Sequence, residues 1–207
     1  MNETSDKSTK ARRSSRITLI LIFLIFVAPT LGAWLWFNFG METTHHSFGT
    51  LYQPARPVEA ISFATPQGDR VDISQLHGNW QLLLVDATPC DDDCLVRLDK
   101  ANRIRLSMGK NIKRIGIIHL SLESAPVTMV EKITTVIPLA ILGSLDETEF
   151  QRMESLLTHS GEDVSDTLSR LYLMDPIGNL VLSYPEDANP EEVRKDLARL
   201  LRASQIG

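Results

Sequence analysis

The sequence predicts an α/β domain, a central sheet with helices on both faces, behind one N-terminal transmembrane helix. Three observations predict it. The apolar run Trp80 to Val85 has the length and composition of a buried strand. It hands over, across two cysteines, to Leu95, Leu98, Ile104 and Leu106 at roughly helical spacing. A second buried-strand run, Arg114 to Leu122, follows that helix, as in a parallel pair with a crossover connection. Residues 17–37 are nearly uninterrupted in apolar character.

That last stretch, at ~1.5 Å per residue, spans roughly 30 Å, the thickness of a bilayer's hydrocarbon core. Trp34, Trp36 and Phe37 sit at its far end, where an aromatic belt belongs. Lys7, Lys10, Arg12, Arg13 and Arg16 precede it, and no Lys or Arg occurs in residues 38–52. By the positive-inside rule, residues 1–16 form a cytoplasmic tail. The rest lies outside the inner membrane, in the periplasm. The alternative is a cleaved signal peptide cut near Ala28 or Ala33. The apolar stretch is longer than the roughly 7–15 residues of such a segment and runs past both alanines.

Five of the 21 Lys and Arg, and two of the 26 Asp and Glu, lie in the tail. The remainder carries 16 positive against 24 negative groups, a net of −8. Nucleic acid would call for a basic face, so that class of partner is excluded.

Taken in order, residues 38–57 show no period and read as a linker. His45-His46 within it is a polar spacer rather than a metal site. The folded α/β domain is expected over residues 58–207. Val58 to Ser74 is a β-hairpin about the turn Pro66-Gln67-Gly68-Asp69, and Leu76-His77-Gly78 turns into the Trp80 strand. Ser107 to Asn111 stops the cysteine helix at a glycine. Pro126 to Ile133 makes a turn or two of helix, and Pro138 to Leu142 a short strand. Asp146 to Thr158 is an amphipathic helix with Phe150, Met153, Leu156 and Leu157 on one face. His159 to Ser169 is a polar loop. Leu171 to Met174 and Asn179 to Ser183 form a hairpin about Asp175-Pro176-Ile177-Gly178. Pro190 to Ala203 closes the chain as a helix capped by Asn189. This order is a thioredoxin-like arrangement.

Cys90 and Cys94 are the only cysteines and sit where a strand meets a helix, the end of an α/β sheet where ligands collect. Outside the cytoplasm they have three fates: a disulfide, a dithiol–disulfide cycle, or metal binding. Four residues apart on a helix, they share a face. The helix dipole favours thiolate, while Asp91, Asp92 and Asp93 oppose it. The aspartates also suit a helix cap. Soft sulfur ligands suit Cu(I).

Ile61-x-Phe63, Gly68, Val71-x-Ile73, Leu76-x-Gly78 and the Cys90-x-x-x-Cys94 spacing, with Leu171-Tyr-Leu-Met-Asp-Pro-x-Gly178, resemble the Sco family of thioredoxin-like proteins. The resemblance covers about residues 58–203. It implies a membrane-tethered assembly factor for cytochrome c oxidase. Such a factor binds copper through two cysteines and a distal histidine, or reduces a disulfide in the oxidase's copper-bearing subunit. Cys90 and Cys94 take the cysteine roles, as catalytic thiols and as metal ligands. The distal histidine does not carry over. Its place falls near Thr167, and Leu95 stands where a proline usually follows the second cysteine. His119 and His159 are the candidates for a third ligand, each against a structural or solvated role. Two other readings stay open: a general periplasmic thiol–disulfide oxidoreductase, and a non-catalytic binding module with a static disulfide.

Overall fold

The computed structural model describes residues 22–32, 34–35, 47–58, 60–159 and 167–204. The chain divides into two compact units, Met1–His46 and Ser47–Gly207. In the first, residues 22–32 and 34–35 are helical, and Phe23, Ile25 and Phe26 are exposed. The expected span, 17–37, lies partly outside the described residues. Among the described residues no helix is long and apolar enough to cross a membrane. His45 and His46 also lie outside them.

The second unit is built on one eight-stranded sheet. Its strands are β1 (Thr50–Pro57), β2 (Ser62–Ala64), β3 (Arg70–Asp72), β4 (Trp80–Asp86), β5 (Ile115–Ser121), β6 (Ala140–Ser144), β7 (Leu171–Met174) and β8 (Asn179–Tyr184). The order across the sheet is β1-β8-β7-β4-β5-β6-β2-β3. β4, β5 and β6 are parallel. β7 pairs antiparallel with β4, and the remaining neighbours are antiparallel. The helices are α1 (Asp92–Leu106), α2 (Val127–Val136), α3 (Glu147–Leu157) and α4 (Pro190–Ala203).

Alternation along the strands makes two cores. Leu82 and Leu84 of β4, with Ile115 and Ile117 of β5, pack against Leu98, Ala101 and Ile104 of α1 and Val193, Leu197 and Leu201 of α4. Leu83 and Val85, with Ile118 and Leu120, pack against Phe150, Met153 and Leu157 of α3. Helices thus cover both faces, as expected. Leu106, grouped by its spacing with Leu95, Leu98 and Ile104, is exposed at the helix's last position.

Residues 38–57 are not linker throughout, because β1 occupies Thr50–Pro57 and pairs with β8. Only Tyr52 of this edge strand is buried. Its stability comes from backbone pairing, which leaves no apolar alternation to read. The hairpin turn at Asp175 is as expected: Gly178 has φ +86°, and the Asp175 carboxylate accepts from the backbone N–H groups of Ile177 and Asn179.

The β2 hairpin is seated on β6 by Phe63. A Cβ on Gly143 would lie 2.3 Å from Phe63 Cδ2 and 2.9 Å from Leu120 Cδ2. Gly143→Ala should therefore overpack this core and cost about 1–3 kcal/mol. Urea unfolding midpoints check this, and an unchanged midpoint would contradict the close packing of Phe63 on β6.

Candidate metal and redox centre

The centre forms where β4 ends. Successive strand residues face opposite sides, so Asp86 shares the α1 side with Leu82 and Leu84. On β5, His119 likewise shares that side with Ile115 and Ile117. β4 and β5 pair with Leu84 opposite His119 and Asp86 opposite Ser121. Asp86 is thus a diagonal neighbour of His119, within reach of a long side chain.

Past Asp86 the chain turns through the exposed Ala87 and Thr88. Cys90 lies just before the helix. Asp91 is the N-cap of α1, its carboxylate accepting from the backbone N–H of Cys94 at 2.9 Å. The capping role expected of the aspartates is therefore filled by Asp91. Asp92 and Asp93 are exposed, and Asp92 pairs with Lys132 of α2.

Cys90 and Cys94 form a disulfide with 5.3 Å between their Cα atoms. Each is only 2% exposed. Cys94 Sγ lies 3.3 Å from Nε2 of His119, which is equally buried. The same nitrogen lies 2.8 Å from Asp86 Oδ2. Arg97, one turn along α1 from Cys94, brings Nη2 to 2.9 Å from Asp86 Oδ1 and 3.0 Å from Oδ2.

Burial pushes the Asp86 pKa up. The hydrogen bond from His119 and the charge of Arg97 together outweigh that and hold it below the usual carboxylate value. An ionised carboxylate only accepts, so Nε2 of His119 carries the hydrogen and donates to Asp86, with Cys94 Sγ as second neighbour.

Among the described residues, one group of potential ligand atoms converges: Cys90, Cys94 and His119, all within 4.8 Å of one another. Two sulfurs and an imidazole nitrogen make a soft donor set that fits copper once the disulfide is reduced. A cavity of about 20 Å³ borders His119 between Pro66, Ser124 and Ser144.

Of the two histidine candidates, the structure brings His119 and not His159 beside the sulfurs. His159 stacks on Tyr52 with ring centroids 4.1 Å apart, and its Nε2 lies 3.2 Å from Ser183 Oγ. It is not part of the converging group. Thr167, near the place of the family's histidine, is fully buried, and its carbonyl accepts from the Tyr172 hydroxyl. Sequence reasoning missed Asp86 and Arg97 as site residues. The available signals were the phase of Asp86 with Leu82 and Leu84, and the three-residue spacing of Arg97 from Cys94.

A family model described as a transmembrane-like, thioredoxin-like C-terminal domain matches residues 80–204. The chain belongs to this transmembrane-like, thioredoxin-like family. Among solved structures similar to it, Arabidopsis thaliana ScoI with copper bound is 22% identical, with a TM-score of 0.54 over 70% of this chain and 97% of that one. Apo Sco1 from Thermus thermophilus is 21% identical, with a TM-score of 0.56 over 78% and 99%. Yeast Sco1 with copper bound is 14% identical, with a TM-score of 0.57 over 72% and 90%. The Sco resemblance read in the sequence thus extends to the fold of this family member. No curated protein matches the chain.

The charge of Asp86 should be visible in acid. Its folded-state pKa is depressed, so its stabilising contribution is complete above the unfolded value of ~3.9 and is lost as pH falls through the folded value. Asp86→Asn should be less stable than wild type at neutral pH, with the gap narrowing below about pH 4. Urea midpoints of the oxidised protein at both pH values check this, and a constant gap would contradict it.

Proposed function

We propose that this chain is a membrane-anchored, Sco-like assembly factor for cytochrome c oxidase. It acts by thiol–disulfide exchange and copper handling through Cys90 and Cys94. The reading rests above all on one observation, the convergence of both cysteine sulfurs and His119 Nε2 within 4.8 Å. Residues 17–37 serve as the anchor, with residues 1–16 cytoplasmic and the thioredoxin-like domain, from about residue 58 and preceded by β1, in the periplasm. The client is the copper-bearing subunit of the oxidase.

The chemistry follows from the donor set. In the disulfide state the sulfurs hold no metal. Two electrons from an outside dithiol convert them to a thiol pair. Cu(I) then displaces the two thiol protons while the ring proton of His119 moves from Nε2 to Nδ1, and is held as cargo by two thiolates and one neutral imidazole. His119 takes the place of the distal histidine that the Sco resemblance calls for near Thr167. ScoI from Arabidopsis and Sco1 from yeast, which share the fold, have structures with copper bound.

One observation favours a second reading, a static disulfide in a binding module: both cysteines are almost wholly buried. The reduction potential separates the two. Structural disulfides lie below about −300 mV and exchanging ones above.

Titration of the reduced full-length protein with Cu(I) in competition with a chelator tests the copper arm. One Cu(I) per chain is expected. Cys90→Ser and Cys94→Ser should each abolish retention. His119→Ala should weaken it at least about tenfold, the scale lost even on removing outer-shell partners of a metal site. If the wild type yields its Cu(I) as readily as the serine variants, copper handling is wrong.

A further inference from the structure

A larger cavity lies at the end of the sheet away from the cysteines. β4 runs from Trp80 to Asp86 and β5 runs parallel to it from Ile115, so the paired Gln81 and Gly116 sit at the start of both strands. Five residues separate Gln81 from Asp86, roughly 16 Å of strand. The cavity, of about 400 Å³, opens between the turn before β4, the last turn of α1 and the start of β6. Small-molecule sites occupy roughly 300–1,000 Å³.

Its wall carries a buried group with an unmet need. Gln81 is 3% exposed, and alternation turns it to the α3 side with Leu83 and Val85. Its Nε2 donates to the carbonyl of Leu76 at 3.3 Å, which fixes the orientation of the amide, because a carbonyl only accepts. Oε1 is therefore the other end, and among the described residues it has no hydrogen-bond partner. Buried oxygens of this kind are almost always paired. This one lies over Gly116, where a Cβ would come within 2.0 Å of it. Gly116 lines the cavity, so the oxygen is aimed into the cavity rather than into packed side chains. The glycine is not in the left-handed region, so it serves the close approach of the amide and not a turn.

The charged groups of the lining are cationic. Arg105 is 8% exposed and uses Nε on the carbonyl of Ile115 at 2.8 Å, while no acceptor among the described residues takes its Nη atoms. Lys113 lines the cavity from an exposed position, and no acidic side chain does. Leu139 and Ile141 supply an apolar wall, with Leu139 exposed. A water molecule would satisfy Gln81 alone. It would leave the buried guanidinium and the exposed leucine without a reason.

We propose that this cavity binds an N-acylated amino acid carboxylate with an apolar side chain, either free or as the C-terminus of a polypeptide. The amide N–H of the ligand donates to Gln81 Oε1, its carboxylate accepts from Arg105, and its side chain covers Leu139 and Ile141. Each part of the lining selects one part of the ligand. A fatty acid gives Gln81 no donor, a neutral amide gives Arg105 no anion, and inorganic phosphate covers no apolar surface. The site is separate from the cysteine centre and shares no residue with it.

The test titrates the isotopically labelled full-length protein in detergent and follows the amide resonance of Gly116. The probes are N-acetyl-L-leucine and an acetylated tetrapeptide ending in leucine, with N-acetyl-leucinamide and hexanoate as controls. At least one probe should shift the resonance saturably, with a Kd of about 1 mM or below. Tighter binding of the tetrapeptide identifies a polypeptide C-terminus as the source, and equal or weaker binding identifies a free small molecule. Arg105→Gln should weaken binding about tenfold to a hundredfold, as for a charge-assisted hydrogen bond. Gln81→Leu, which removes the unpaired oxygen and keeps the core apolar, should weaken it about twofold to tenfold. The two controls should each bind several-fold more weakly than the acid. The comparison of acid with amide needs no variant, so it decides even where a substitution unfolds the chain. The proposal is overturned if neither probe shifts Gly116 saturably up to about 10 mM. It is equally overturned if the neutral amide binds as well as the acid, or if both folded variants bind as tightly as the wild type.

Discussion

The parallel pairing of β4 with β5 is the constraint on which the centre depends. The register sets Leu84 opposite His119 and Asp86 opposite Ser121. A slip of one residue would move every side chain of a strand to the other face. His119 would then point into the core against α3, and the cysteines would face an aliphatic residue. The slip is prevented by the residues around the site rather than by the site itself. Leu82, Leu84, Ile115 and Ile117 fill one core, and Leu83, Val85, Ile118 and Leu120 fill the other. Both faces of both strands are committed to packing, so the register is specified twice. The placement of a single imidazole follows from the burial of eight aliphatic side chains.

The second layer of constraint is ionic. Asp86 and Arg97 are almost buried, with side-chain exposures of 8% and 13%. Such a pair is poor evidence for net stability, since desolvation of both charges offsets much of their attraction. Losing one partner is another matter, because the other is left as an uncompensated buried charge. The pair therefore makes sense less as a source of stability than as a fixture. It ties α1, which carries Cys94, to the end of β4. It also gives the buried histidine an acceptor that does not depend on the state of the sulfurs.

Much of this was legible in the sequence, and what was hidden has physical causes. Trp80–Val85, the cysteine pair and the helix behind it are local in the chain, and continuous apolar runs announce buried parallel strands. The cap at Asp91 was legible because caps join residues three apart. β1 was hidden because an edge strand held by its backbone, with Tyr52 alone buried, has no period to detect. Asp86 reads as turn chemistry until its partner, 33 residues away, is brought beside it. His119 was already a candidate from its place near the end of an apolar strand. Preferring it to His159 needed the pairing register, because nothing local to either residue says which cysteine face it shares. The Sco resemblance pointed to the right fold, yet it looked for a histidine near Thr167, whereas the imidazole beside the sulfurs comes from β5.

Burial of the sulfurs links the two chemistries assigned to this centre. A thiolate in a dry site is costly unless something compensates its charge. At the surface, water would do so. Here each cysteine is as buried as the aliphatic residues around it, and three aspartates lie between the two in sequence. Those aspartates discourage negative charge further, although Asp92 and Asp93 face solvent, where screening weakens them. A sulfur leaving a disulfide in such a place needs a positively polarised partner at contact distance. The ring of His119, its Nε2 3.3 Å from Cys94 Sγ, is the nearest polar group, although its hydrogen is given to Asp86. A metal cation would be a stronger partner, because it could neutralise both sulfurs at once, with the histidine nitrogen within reach as a third donor. The proposed exchange and copper retention would therefore be two solutions to the same electrostatic problem. They would use the same three side chains and exclude each other at any moment, since one nitrogen holds either a proton or an ion.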